Sequence, residues 1–149
     1  MEKQKICIIG GNLTGLVTAI ALSKLNCQID LITGNANLNH KSNRTIAISE
    51  DNFDFLNKLN IKKSLKKEMW PCSIMKLYTE IRNEKFSKIF ELNNDNKQKK
   101  IFYILENSKI MKFMISKIKQ IKSISIKSHE KISEISTSGL LKSVKINNN

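Results

Sequence analysis

At 149 residues, 40% of them apolar, the chain suits a single domain with one modest core. Its formal charge of +13 comes from 24 Lys and only 2 Arg, spread along the sequence beside 17 Asn. That pattern reads as compositional bias with solvated lysine faces and argues against a specific nucleic-acid partner, since readers of bases and phosphates favour the bidentate Arg fork.

Cys7, Cys27 and Cys72 form an odd, widely spaced set, which fits free thiols in a reducing compartment. His40 and His129 lack ligand spacing, so no metal site is expected. The apolar stretch from Ile6 to Leu22 is interrupted by glycines, Asn12 and two threonines, and no charged leader with a cleavage site precedes it. Neither a signal peptide nor a transmembrane segment is expected, which points to a cytoplasmic protein.

The stretch Lys5–Thr33, KICIIGGNLTGLVTAIALSKLNCQIDLIT, organises the rest. Ile6–Ile9 reads as a buried strand, Gly10-Gly11-Asn12-Leu13-Thr14-Gly15 as a turn, and the apolar positions from Leu16 to Leu25 as a helix. A second strand follows at Ile29–Ile32. Strand, glycine turn, helix and strand within about thirty residues make a Rossmann-like βαβ unit. Gly10 lets the chain bend, Gly15 lets helix pack on strand, and the helix N-terminus offers N–H groups to a pyrophosphate. Two positions depart from the fingerprint. Asn12 stands at its middle glycine, and Thr33 stands where an acidic residue would hold ribose hydroxyls. Asp30 is no substitute, because it lies three residues early on the opposite face.

A polar loop is expected over 34–43, ending in Arg44-Thr45-Ile46-Ala47-Ile48-Ser49. Ser49 or Asp51 then caps a helix carrying Phe53, Leu56 and Leu59. Residues 61–69 suggest a second short helix stopped by Pro71. From Ser73 the pattern alternates, which predicts antiparallel strands at about 73–81 and 86–92, joined by 82–85 and belonging to a second sheet. Phe86, Lys88, Phe90 and Leu92 are assigned to one face of the latter strand, Ser87, Ile89 and Glu91 to the other. Residues 93–100 form a charged tip, and Ile101–Leu105 another strand. Ser108 is placed as the cap of a helix over 109–121, with Ile110, Met111, Met114, Ile115, Ile118 and Ile121 on its apolar face. Residues 123–127 suggest a third parallel strand, and 131–136 with 140–146 a hairpin around Ser138-Gly139.

Three blocks together resemble the N-terminal part of the FAD-dependent aromatic hydroxylases, most of all the ubiquinone-biosynthesis hydroxylase branch. They are the Lys5–Thr33 stretch, RTIAIS at Arg44–Ser49 and FYILENSKI at Phe102–Ile110, in matching order and spacing. The resemblance implies an α/β fold: a Rossmann-like FAD-binding βαβ core with the start of an antiparallel substrate sheet, incomplete. Residues 1–149 are then an incomplete FAD-binding domain, with about 73–92 as the inserted substrate-sheet strands. It also implies that Gly10, Gly11, Asn12, Gly15 and Thr33 surround the pyrophosphate and adenosine end of FAD. Arg44 would reach the phosphate and ribose region, and Asn107 the flavin side. Ser108 stands where relatives commonly carry Arg.

By the same resemblance NAD(P)H reduces the flavin, which passes oxygen to an electron-rich aromatic ring, with no catalytic residue of its own in this span. The small-molecule aromatic substrate would be a membrane-derived polyprenylated phenol, placing the protein peripherally at the inner membrane. The family's downstream Asp-Gly and Gly-Asp segments have no counterpart here, since neither dipeptide occurs. An N-terminal fragment lacking its C-terminal half, and inactive in turnover, is therefore the expectation. The alternatives are a degenerate Rossmann-like nucleotide-binding module without redox activity and, behind it, a basic nucleic-acid binder.

Overall fold

A computed structural model describes residues 3–34, 44–61, 65–81, 85–93, 100–128 and 131–147. The loop expected over 34–43, the 82–85 connection and the charged tip at 93–100 fall almost wholly outside the described residues. The chain forms two compact units, one made of Met1–Lys41 with Met111–Asn149 and the other of Ser42–Ile110. The fold is α/β.

In the first unit, β1 (Gln4–Ile9) leads through the glycine turn into α1 (Leu13–Leu22), and β2 (Cys27–Gly34) returns parallel to β1. The third parallel strand, β8 (Ile124–Ser128), pairs with β2, giving the order β1-β2-β8. α1 buries Leu16, Ala19 and Ile20, spaced for one helical face. The Ser23 hydroxyl donates back to the Ile20 carbonyl at 2.7 Å, where the helix ends. Leu25, counted with the helix from its spacing, lies beyond that end and is exposed. β2 buries Cys27, Ile29, Leu31 and Ile32, as a central parallel strand must. The hairpin of β9 (Lys131–Ser138) and β10 (Leu141–Asn147) turns at Gly139, whose φ of +58° suits glycine at the first turn position.

The second unit is built on β7 (Phe102–Glu106), flanked antiparallel by β3 (Thr45–Ser49) and β4 (Trp70–Cys72). α2 (Glu50–Lys58) starts from Ser49, whose hydroxyl accepts the Asn52 N–H at 3.4 Å. Its end is a Schellman closure: Asn60, at φ +61°, donates to the Asn57 carbonyl, and Ile61 donates to that of Leu56. Phe53, Leu56, Leu59, Ile61, Leu65 and Leu105 are buried. Residues 62–64 of the short helix expected before Pro71 lie outside the described residues; Leu65 is helical, and Lys66–Glu68 continue from it as a 3-10 turn. Pro71 sits inside the edge strand β4, where its missing N–H costs no ladder bond.

β5 (Ile74–Ile81) and β6 (Lys85–Asn93) form a separate two-stranded antiparallel sheet. One expectation is corrected here. The register slips between Leu77 and Tyr78, leaving Ile89 as an extra residue, so the alternation of β6 changes phase. Lys88 therefore shares a face with Glu91, bonding it at 2.6 Å, and does not join Phe90 and Leu92. Lys76 reaches the same carboxylate at 3.9 Å.

α3 (Asn107–Lys119) is also corrected at its start. It begins directly after β7, so Ser108 lies in its first turn and is not its cap. Five of the six residues assigned to its apolar face are buried; Ile121 lies past its end and is half-buried.

A carboxylate clamp joins α2 to β7 across 53 residues. Tyr103 donates its hydroxyl to Glu50 at 3.1 Å from one carboxylate oxygen and 3.3 Å from the other, and the Lys100 N–H donates to Glu50 at 3.0 Å. The Phe53 and Tyr103 rings stack with centroids 4.3 Å apart. Burial, then the Glu50 hydrogen bond and charge, hold the Tyr103 hydroxyl above its ordinary value of 10.0. Tyr103→Phe is expected to cost about 1 kcal/mol in denaturant unfolding near pH 7, in line with a part-exposed bond to a carboxylate. Because the folded protein favours the protonated phenol, that advantage holds below pH 10 and declines as pH rises through the raised value. The gap between wild type and variant should narrow accordingly.

Candidate functional site

The glycine turn is fixed at both ends. The Gly10 N–H donates to the Ile32 carbonyl at 2.9 Å, tying the end of β1 to the end of β2. Gly10 adopts φ +130°, a conformation open to glycine, and a Cβ there would meet nothing within 4 Å. A Cβ on Gly15, by contrast, would lie 2.0 Å from the Gly10 carbonyl oxygen. A Cβ on Gly11 would lie 2.9 Å from the Thr33 Cβ. The three glycines thus serve three purposes: the bend, the packing of helix on turn, and the packing of turn on β2.

Asn12 is the N-cap of α1, in an extended conformation, and its side chain makes no capping bond. The first intrahelical bond runs from the Leu16 N–H to the Asn12 carbonyl at 3.0 Å. The N–H groups of Leu13, Thr14 and Gly15 therefore have no partner within the helix, and its first turn holds no acidic side chain. The helix dipole adds partial positive charge at the same point. Such an end suits an anion such as pyrophosphate.

Thr33 sits beside this turn at the end of β2. Its hydroxyl oxygen is shut from solvent and has no hydrogen-bond partner among the described residues. An unpaired buried hydroxyl costs about 1–3 kcal/mol. Asp30, on the opposite face of β2, is 3.2 Å from the Lys5 ammonium and 3.8 Å from that of Lys127. Its charge is committed there.

Gly10, Gly11, Asn12, Gly15 and Thr33 are therefore gathered in the first unit. Arg44 and Asn107 are gathered in the second, where the Asn107 N–H donates to the Arg44 carbonyl at 2.9 Å. That bond closes the β3–β7 ladder at its Thr45–Glu106 end. Arg44 is exposed, and Asn107 is half-buried as the first residue of α3.

The first unit also holds a cavity of about 780 Å³ between the β1 side of the parallel sheet and the β9–β10 hairpin, lined by Lys5, Cys7, Asp30, Lys127, Ile135 and Leu141 among others. Cys7 is exposed, yet burial and the Asp30 charge raise its thiol above the usual range, against the weaker pull of Lys127 and Lys5. A raised thiol is a poor nucleophile. The spacing of Lys5, Asp30 and Lys127 does not reveal their pairing in sequence; strand register alone brings them together.

No protein-family model matches the sequence, and no curated protein matches it. Solved structures do match in fold. Over 98% of this chain, p-nitrophenol 4-monooxygenase PnpA from Pseudomonas putida superposes with a TM-score of 0.71 at 15% identity. PqsL from Pseudomonas aeruginosa, described as a probable FAD-dependent monooxygenase, gives 0.76 at 11% identity over the same share. 2-Methyl-3-hydroxypyridine-5-carboxylic acid oxygenase gives 0.66 at 13% identity over 89%. The chain spans 40%, 39% and 33% of those proteins. The fold is that of their matched portions.

Gly15→Ala is expected to destabilise the chain by about 1–3 kcal/mol, as overpacking against backbone does, measured by denaturant unfolding. The Cβ would face the Gly10 carbonyl oxygen, so backbone of the turn would have to shift to admit it.

Proposed function

We propose that this chain is the N-terminal part of an FAD-dependent monooxygenase that hydroxylates an aromatic ring. The observation that carries the reading is the glycine turn and uncapped α1 N-terminus, set in a fold shared with the matched portions of PnpA and PqsL. The residues present fit the diphosphate of FAD: Gly10 leaves open space, Gly11 and Gly15 admit close packing, and the first-turn N–H groups are free within the helix. Gly10, Gly11, Asn12 and Gly15 would hold the pyrophosphate, and Thr33 would meet the adenosine ribose. Arg44 would serve the phosphate and ribose region, and Asn107 the flavin side.

Bound FAD supplies the redox chemistry, with NAD(P)H as reductant and dioxygen as the oxygen source. The chain's own contribution is to bind and orient through backbone N–H groups and a helix dipole. A polyprenylated phenol of ubiquinone biosynthesis is the proposed substrate, met at the inner membrane by a peripherally bound protein. Among the described residues, no helix is long and apolar enough to cross a membrane. A second reading, a nucleotide-binding module without redox activity, draws on Thr33 and Asn12, which both weaken the grip on FAD.

Titration of the 149-residue chain with FAD, followed by flavin fluorescence, tests the reading. Weak saturable binding is expected, displaced by ADP-ribose and not by FMN, which lacks the adenosine half held by the turn. NADPH oxidation is expected to stay at background; sustained turnover would overturn the view that this span only binds. Binding of ADP-ribose without FAD would favour the second reading, and no binding of either would remove both.

A further inference from the structure

The position of Thr33 bears on which adenine nucleotides the turn accepts, an inference that rests on the nucleotide-binding reading above. In βαβ nucleotide sites a carboxylate at the end of the second strand accepts from the ribose 2′-hydroxyl, and its charge repels a phosphate at the same oxygen. Here that strand end is neutral. Thr33 packs beside Gly11, and Gly34, the last residue of β2, pairs with Ser128 of β8. The described acidic residues of the first unit are Asp30 and Glu134. Asp30 is held by Lys5 and Lys127 on the opposite face of β2, and Glu134 lies opposite Lys145 within the hairpin. Neither replaces the missing carboxylate.

We propose that Thr33 leaves the adenosine end of this site without discrimination against a ribose 2′-phosphate, so that 2′-phosphorylated adenine nucleotides bind as well as unphosphorylated ones. Thr33 carries no charge, so unlike a carboxylate at the same strand end it does not repel a phosphate on the ribose 2′ oxygen.

The test compares ADP-ribose with 2′-phospho-ADP-ribose by calorimetry at about 0.15 M salt, where long-range attraction to the lysine surface is screened. Wild type is expected to bind the two within about threefold. Thr33→Glu should shift the ratio at least tenfold toward ADP-ribose, one charge repulsion being sufficient for that. Thr33→Val, close in shape and neutral, should leave the ratio near that of wild type. Comparison of ratios cancels nonspecific attraction to the basic surface. A tenfold wild-type preference for ADP-ribose would overturn the inference while leaving the nucleotide reading intact, and so would a ratio unmoved in a folded Thr33→Glu protein. Should that variant fail to fold, the wild-type ratio decides. Failure of both ligands to bind wild type would end the nucleotide reading itself, and this inference with it.

Discussion

The approach of α1 to the Gly10 carbonyl sets the geometry of the first unit. At Gly15 the helix comes so near the turn that a single added carbon would overlap backbone oxygen. That closeness places the helix N-terminus directly over the end of β1, and the Gly10–Ile32 bond carries the same constraint on to β2. The turn is thus defined by two backbone contacts and by the packing of Gly11 on the Thr33 side chain, and none depends on a long side chain.

In the second unit the central strand β7 has the corresponding role. Its register with β3 brings Asn107 onto the Arg44 carbonyl, so a ladder bond holds the start of α3. At its other end the strand is anchored by Glu50, which accepts from Tyr103 and from the Lys100 backbone. Glu50 also stands in the first turn of α2, where negative charge opposes the dipole favourably. One carboxylate therefore couples a helix start to a strand start.

The βαβ unit was legible because its signals are local: β-branched runs, glycines at a bend, and apolar residues at helical spacing. Ser49 as a cap and Gly139 as a turn residue were legible for the same reason. What escaped the sequence depends on partners far away in the chain. The extra residue Ile89 alters strand phase without any Gly or Pro to announce it, and only pairing with β5 reveals it. Ser108 resembles a cap, but the backbone bond from Asn107 to Arg44 allows the helix to start earlier. Thr33 could be recognised as a departure from the fingerprint. Its unpartnered hydroxyl could not, because that follows from packing against Gly11.

The apolar pattern of β1 also exceeds the burial it receives. Ile6, Cys7, Ile8 and Ile9 have the composition of a strand covered on both faces, yet Ile9 is 51% exposed and Cys7 is exposed as well. Among the described residues the order β1-β2-β8 leaves β1 at an edge, whereas dinucleotide folds place their first strand inside the sheet. The β5–β6 sheet shows the same mismatch, with Met75, Leu77, Phe90 and Leu92 each more than 40% exposed. An isolated two-stranded sheet is marginal in water, and its open edges invite a further strand. Self-pairing of these edges is opposed by a net charge of +13, which makes copies of the chain repel. The matched proteins are two and a half to three times longer than the span they share with this chain.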